Sequence, residues 1–412
     1  MKIENFRKEI VADRARITAR LIWENCDRKC QDVYFETTAK FQDDLFPNPN
    51  SFLLASALPA MRYGEERIAI DAPICPEIKD GLYSAMKCLI NWHGGDRKVI
   101  PIEAAIQSTV LFPKNQPRAG AFFSGGIDAL AMLQDNRLNF SAEHPRHIKD
   151  GILVYGILQG ENESDPNFKN VINAVSAIAD DAGINLIQVS TNAYAHFRDL
   201  DPNFSFWRLE YLGSFLAAIA HAFAPRLTIA SIASTYDYAS LEPWGSHPLL
   251  DGLYSNFGLQ IRHENAALSR LEKIKLIAKW DVALKNLRVC NEKSSYSQGN
   301  YNCGKCYKCL KTKTALLALG LLDRVDTFVE KDVSYELLVE NCYLSDAYGE
   351  NCYLELIQPL SQLGRDDLVD GIIKISRRYH EQDFSGQIKR LDRHLFGGNL
   401  LNIGKKIKTS FK

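Results

Sequence analysis

Phe122-Phe123-Ser124-Gly125-Gly126-Ile127-Asp128-Ala129-Leu130 joins an apolar run beginning at Ala119, AGAFFS, to the helical pattern GGIDALAMLQDNR. Two glycines at that junction let consecutive backbone N–H groups converge with no Cβ in the way, and the helix start adds the positive end of its dipole. A polyphosphate suits such a turn. Ser124 can hydrogen-bond a phosphate oxygen, and Asp128, one turn into the helix, can hold a Mg²⁺ that bridges phosphates directly or through water. A plain strand-to-helix turn also uses glycine; the aspartate at this offset, on the first strand of a repeating series, is what points to a nucleotide loop.

The series continues downstream. DGILVYGIL reads as a second strand followed by a helix over about 166–182, NLIQVST as a third followed by a helix over about 205–224, RLTIASIAS as a fourth, and LQIRHE as a fifth before the helical SRLEKIKLIAKW. This alternation predicts an α/β fold with a doubly wound parallel sheet, whose ligands bind outside the carboxyl ends of the strands. Site residues are therefore expected just after positions 123, 158, 189 and 230. The candidates are Tyr155, Gly156 and Gln159 after the second strand, Ser190 and Thr191 after the third, and Ser231, Ser234, Thr235, Tyr236 and Asp237 after the fourth. The loop EPWGSHPLLD (242–251) adds Glu242, Trp244, His247 and Asp251, either in the mouth of a site or as a packing loop. Arg208 is a further possible phosphate or substrate contact. Ser269 and Glu272 have capping-box spacing around Arg270.

Upstream, residues 1–118 alternate short apolar runs (ARITARLIW, DVYFETT, FLLASALPAM, ERIAIDAP, RKVIPIEAA) with turn residues and one helical stretch, DGLYSAMKCLINW. They predict a β-rich α+β accessory domain, bounded by the proline- and glycine-bearing FPKNQPRAG. Beyond Cys309 the pattern is helical, so residues 321–412 read as a helical extension in which ENCYL occurs twice, at 340–344 and 350–354. From Gln387 to the last residue the chain holds seven Lys/Arg and one Asp, the place from which an RNA or protein partner would be touched. Over the whole chain of 412 residues, tail included, 49 basic and 50 acidic residues nearly cancel, so no global field attracts polyanions. The start, MKIENFRKEI, lacks a signal-peptide core, and the longest apolar stretch, Tyr211–Ala224, is too short to span a bilayer and reads as a buried helix. A cytoplasmic protein with no membrane contact is expected.

In that compartment the ten cysteines stay reduced. Six are dispersed, while four share the spacing Cys290-x12-Cys303-x2-Cys306-x2-Cys309. A Cys-x2-Cys pair turns two thiolates toward one point, and a remote cysteine completes a tetrahedron suited to a structural Zn²⁺, with an iron–sulfur cluster as the rival.

The segment Ser124-Gly125-Gly126-Ile127-Asp128 resembles the SGGxDS signature of the PP-loop ATP pyrophosphatases, and no GxxxxGK[ST] motif competes with it. The final serine of that signature is Ala129 here. Loop and cysteine spacing together resemble 7-cyano-7-deazaguanine synthase over about residues 119–320, in a diverged and extended form. The resemblance implies an adenine nucleotide alpha hydrolase-like (HUP) domain with a zinc knuckle and bound ATP, Mg²⁺ and Zn²⁺. It implies cleavage of ATP to AMP and pyrophosphate, so that a carboxylate or carbonyl is adenylated for C–N bond formation. Ser124, Asp128 and Arg270, the last at a lysine position of the family, would be catalytic; Ser124, Gly125, Gly126, Ile127, Asp128, Tyr155, Gly156, Ser190 and Ser231 would bind the nucleotide. Thiolation is disfavoured, because none of the dispersed cysteines lies at an expected strand end. A tRNA- or nucleobase-modifying PP-loop enzyme and a catalytically reduced nucleotide sensor or defence-system component are the alternatives.

Overall fold

Runs such as Ala119–Phe122, buried at all four positions, belong to strands covered on both faces. The computed structural model describes residues 1–107, 117–157, 166–290 and 302–381. Among these it contains β1 (Lys2–Val11), β2 (Arg14–Ile22), β3 (Gln31–Thr38), β4 (Ile68–Ile70), β5 (Ile102–Glu103), β6 (Ala119–Phe122), β7 (Ile148–Tyr155), β8 (Asn185–Thr191), β9 (Ile229–Ala233) and β10 (Gln260–Glu264). All ten form one mostly parallel sheet in the order β10-β9-β6-β7-β8-β3-β2-β1-β4-β5. From β6 the chain builds outward through β7 and β8, then returns to place β9 and β10 on the other side. The direction of growth reverses between β6 and β9, and in open parallel sheets that reversal opens a ligand crevice beyond the carboxyl ends.

The chain gathers into two units. The first holds Met1–Ser124, Asp128–Thr235 and Glu242–Ala266; the second holds Gly125–Ile127, Tyr236–Leu241 and the chain from Ala267 onward.

Within the first unit, residues 1–118 do not stand apart as an accessory domain. β3 pairs antiparallel with β8 through Phe35↔Thr191, Glu36↔Ser190 and Thr37↔Val189, so the meander β1-β2-β3 extends the parallel strands. Side chains lock this seam: Thr37 Oγ1 donates to Gln188 O (2.8 Å) and Thr191 Oγ1 donates to Tyr34 O (2.6 Å). One core joins Phe35 and Phe52 to Ile187, Tyr211 and Ile232. FLLASALPAM, read among the strand-like runs, is the helix Pro49–Arg62. Its residues Asn50–Met61 are all buried, so no amphipathic period appears, and the start is marked by Asn48 accepting from Asn50 N–H.

Near the amino ends of the parallel strands, the carboxylate of Asp150 is fully buried between two arginines. Arg118 Nη2 donates to it at 2.9 Å, and Arg226 donates from Nε (2.9 Å) and Nη2 (2.8 Å). Burial would raise its pKa, but the hydrogen bonds from Arg118 and Arg226 outweigh burial and hold it below the usual carboxylate range. Asp150→Ala is expected to cost about 3 kcal/mol by urea denaturation, the low end for a broken buried pair because Arg226 keeps Asp44. A lowered folded pKa means the contribution is complete above the unfolded value and disappears as pH falls through the folded one. The variant should therefore lose less stability than the native protein on acidification.

The second unit is helical, with Arg270–Ile277, Asp281–Lys285, Tyr307–Ala318, Tyr335–Asn341, Ala347–Leu354, Ile357–Gln362 and Asp366–His380 among its described helices. The two ENCYL copies are not equivalent there: one straddles the end of Tyr335–Asn341, the other lies in Ala347–Leu354. The basic tail from Gln387 and the 112–116 part of FPKNQPRAG lie outside the described residues. Among the described residues no helix is long and apolar enough to cross a membrane; Tyr211–Ala224 contains the helix Leu212–Ala222, buried at every position from Gly213 onward.

Candidate functional site

The expected strand–turn–helix is present. β6 ends at Phe122, whose neighbour Phe123 donates its N–H to Ile152 O (2.8 Å), and a helix runs over Ile127–Asn139. Between them Ser124 is exposed, Gly125 is buried and Gly126 is half-buried. Gly125 has φ +73°, a conformation that a Cβ would strain, so this position calls for glycine. Its carbonyl accepts from the backbone N–H of Arg288 at 3.2 Å. Asp128 occupies the first helical turn, half-buried, where its charge complements the helix dipole. Ala129 is only 6% exposed, so the position where the family signature has serine faces the interior. The loop follows β6, the strand beside the reversal, as the βα rhythm predicts.

The other strand-end candidates have structural occupations. Tyr155 is buried against Phe168 (ring centroids 5.3 Å apart), and its hydroxyl accepts from Arg14 Nη2 at 2.6 Å. Gly156 has φ +92°, and a Cβ there would lie 2.3 Å from Thr191 O, so glycine allows the ends of β7 and β8 to meet. Ser190 is flanked in the sheet by Glu36 and Tyr155. Ser231 lies within β9 and not beyond it: the ladder to β10 continues to Ala233↔Glu264, and Ser231 is 4% exposed. The end of β9 is followed by Ser234 and Thr235. Gln159 lies outside the described residues.

Loop 242–251 is packed against backbone. Gly213 N–H donates to Gly245 O (2.7 Å), Gly245 N–H donates to Arg208 O (2.8 Å), and a Cβ on Gly245 would lie 2.8 Å from Tyr211 N. Asp251, fully buried, accepts from Ser246 Oγ (2.8 Å) and pairs with His263 Nδ1 (2.8 Å). His247 sits edge-on to Trp92, and burial lowers its pKa. Arg208 lies over the Trp244 ring at 5.9 Å. These contacts make the loop a rigid piece of the first unit.

In the second unit, Ser269 caps Arg270–Ile277 in a complete capping box with Glu272. Arg270 Nη2 donates to Thr312 Oγ1 (3.2 Å) on Tyr307–Ala318. In the segment after β9, Asp237 accepts from Ser240 N–H (2.9 Å), and the Tyr236 ring meets Tyr348 at 4.8 Å.

The four clustered cysteines converge, with all sulfurs within 4.8 Å of one another. Cys290 and Cys306 Sγ are 3.8 Å apart, as are Cys303 and Cys309, and Cys306 N–H donates to Cys303 Sγ at 3.3 Å. Disulfides are excluded by those separations. A tetrahedron with metal–sulfur bonds of about 2.3 Å has edges of about 3.8 Å, so the sulfurs fit a single ion such as zinc. A hydrogen bond with the Cys290 sulfur pushes the Cys306 thiol up to about 11, and Cys309 is raised by its bonds to Cys290 and Cys306. So crowded a set sheds its protons when a cation replaces them. Asn302, which no spacing rule marks, binds the Cys290 end of this cluster. No protein-family model and no curated protein matches the chain, so the loop and the cysteine cluster carry the functional reading by themselves.

Proposed function

We propose that this chain is a PP-loop ATP pyrophosphatase of HUP-like architecture, with zinc bound by Cys290, Cys303, Cys306 and Cys309. It would cleave ATP to AMP and pyrophosphate to adenylate a carboxylate or carbonyl for C–N bond formation, in a reaction like that of 7-deazaguanine synthases. The observation that carries the reading is the Ser124–Asp128 turn, with Gly125 at φ +73°, at the carboxyl end of the strand beside the sheet reversal. Convergence of all four sulfurs within 4.8 Å favours one ion over an iron–sulfur cluster, in which cysteines on different irons stand further apart.

The roles follow from the charge that develops. Backbone N–H groups at the loop and helix start hold the β- and γ-phosphates, and the exposed Ser124 hydroxyl adds one donor. Asp128 is the carboxylate that would hold Mg²⁺, which screens phosphate charge when bound. Positioning the acceptor oxygen in line with the α-phosphate supplies much of the rate. Arg270, oriented by Thr312, is assigned to neutralising charge on the departing pyrophosphate. An amine then displaces AMP from the adenylate.

The test is incubation of the full chain with ATP, Mg²⁺, ammonium and a panel of heteroaromatic carboxylates labelled with ¹⁸O. Equal yields of AMP and pyrophosphate, with label in the AMP, are expected; ADP and phosphate would overturn the reading. Ala129, buried where the signature has a hydroxyl, favours a second reading as a nucleotide sensor. Tight ATP binding without pyrophosphate from any acceptor would select it.

A further inference from the structure

Asn302, directly before Cys303, is 3% exposed and uses the whole of its amide. Oδ1 accepts from the backbone N–H groups of Val289 (2.9 Å) and Cys290 (3.1 Å). Nδ2 donates to Leu287 O (2.9 Å) and to Thr327 Oγ1 (2.9 Å). Thr327, 2% exposed, donates its hydroxyl proton to the same Leu287 carbonyl at 2.8 Å. A buried amide with two donors and two acceptor positions filled is a fixed bracket. It holds the backbone on both sides of Arg288.

The Arg288 N–H is the group left pointing elsewhere, and it donates to Gly125 O. In a trans peptide the C=O and the following N–H point in opposite directions. Anchoring the Gly125 oxygen to Arg288 therefore aims the Gly126 N–H away from Arg288. A Gly–Gly peptide has no Cβ on either side to resist rotation, so an external anchor decides its orientation. Cys290, a sulfur ligand of the cluster, lies two residues from that anchor and shares Asn302 with it.

We propose that Asn302 is a positioning residue for the phosphate loop: with the cysteine cluster metal-loaded, it fixes the Arg288 N–H against Gly125 O and so presents the Gly126 N–H in one orientation. Metal occupancy thereby controls nucleotide affinity. The nucleotide part rests on the loop being the phosphate site proposed above; the mechanical link does not.

The experiment uses the full chain, zinc-loaded and zinc-stripped, and the zinc-loaded variant Asn302→Ala. Three quantities are measured: zinc per chain, ATP affinity by calorimetry with Mg²⁺, and amide exchange of peptides covering 122–130 and 284–290. Stripping, and Asn302→Ala, should each speed exchange at the Gly125–Gly126 turn and at Arg288 about tenfold, with β1 and β2 unchanged, and weaken ATP binding about tenfold. Loop exchange identical in loaded, stripped and Asn302→Ala protein overturns the proposal. A wild-type protein that binds no ATP sinks the nucleotide reading, and the exchange measurement still decides the link. Should Asn302→Ala speed exchange in β1 and β2 as well, Thr327→Val, which keeps the bonds to Val289 and Cys290, is measured in its place. Faster exchange confined to the loop and Arg288 then supports the link, and unchanged exchange there overturns it.

Discussion

Asp128→Asn is expected to lower pyrophosphate release by about two to three orders of magnitude while leaving the protein folded. The substitution keeps the shape of the side chain and removes its charge. A magnesium ion shared with phosphates depends on that charge, because it keeps most of its waters and takes few protein ligands. The helix-dipole part of the structural cost is small: an acid in the first turn of Ile127–Asn139 contributes about 0.3–1 kcal/mol in this way, and asparagine keeps the side chain's shape. A melting temperature within a few degrees of the native one should thus accompany the lost activity. Raising Mg²⁺ or supplying Mn²⁺ should restore part of the rate, which a folding defect would not permit. Native activity in this variant would remove the loop from the mechanism. If the chain is a sensor, the same substitution should instead weaken Mg²⁺-dependent ATP binding.

The strand–turn–helix was legible because its backbone demands the residues that the pattern marks. Glycine at 125 is required by φ +73°, and the strand before it is apolar because both faces are covered. The successive βα units were legible by the same rule, and β9 was misjudged only in length, which left Ser231 inside the ladder. The amino-terminal third was harder for a physical reason. In β1 the position of Ile3 alone is fully covered and most others are exposed, so a genuine sheet strand reads as a charged segment. The reverse holds for Pro49–Arg62, where burial on every side erases the helical period. A shared core cannot be seen from one segment at a time, so the seam between β3 and β8 left no mark in the residues that form it. Loop 242–251 shows a further limit. Its aromatic and titratable residues suggested a site mouth, but the two glycines that decide its role, Gly213 and Gly245, act through close backbone approach. Asn302 is the same lesson at the second unit: its four bonds all serve backbone or a neighbouring hydroxyl, and no motif encodes them.

Cys306→Ser is expected to take the metal content from one zinc per chain to near zero, and its effect should be the largest on the stability of the second unit. Serine is a hard, protonated donor at neutral pH, and three thiolates with an open position hold zinc far less tightly than four. Zinc-finger peptides gain about 10–16 kcal/mol from such a site, an upper limit here because Tyr307–Ala318 also buries Leu310 and Leu316. The expected signature is loss of protection at Arg288–Cys290 and at the start of Tyr307–Ala318, together with a lower melting temperature. Acidification of the native protein should mimic the variant. Metal binding must displace protons from thiols raised above their ordinary values, Cys306 to about 11, so affinity falls as pH falls and zinc leaves first on the acid side. A native protein that carries iron and absorbs visible light would replace zinc with a cluster. One that keeps full zinc as Cys306→Ser would place the ion elsewhere, and the convergence of the four sulfurs would need another cause.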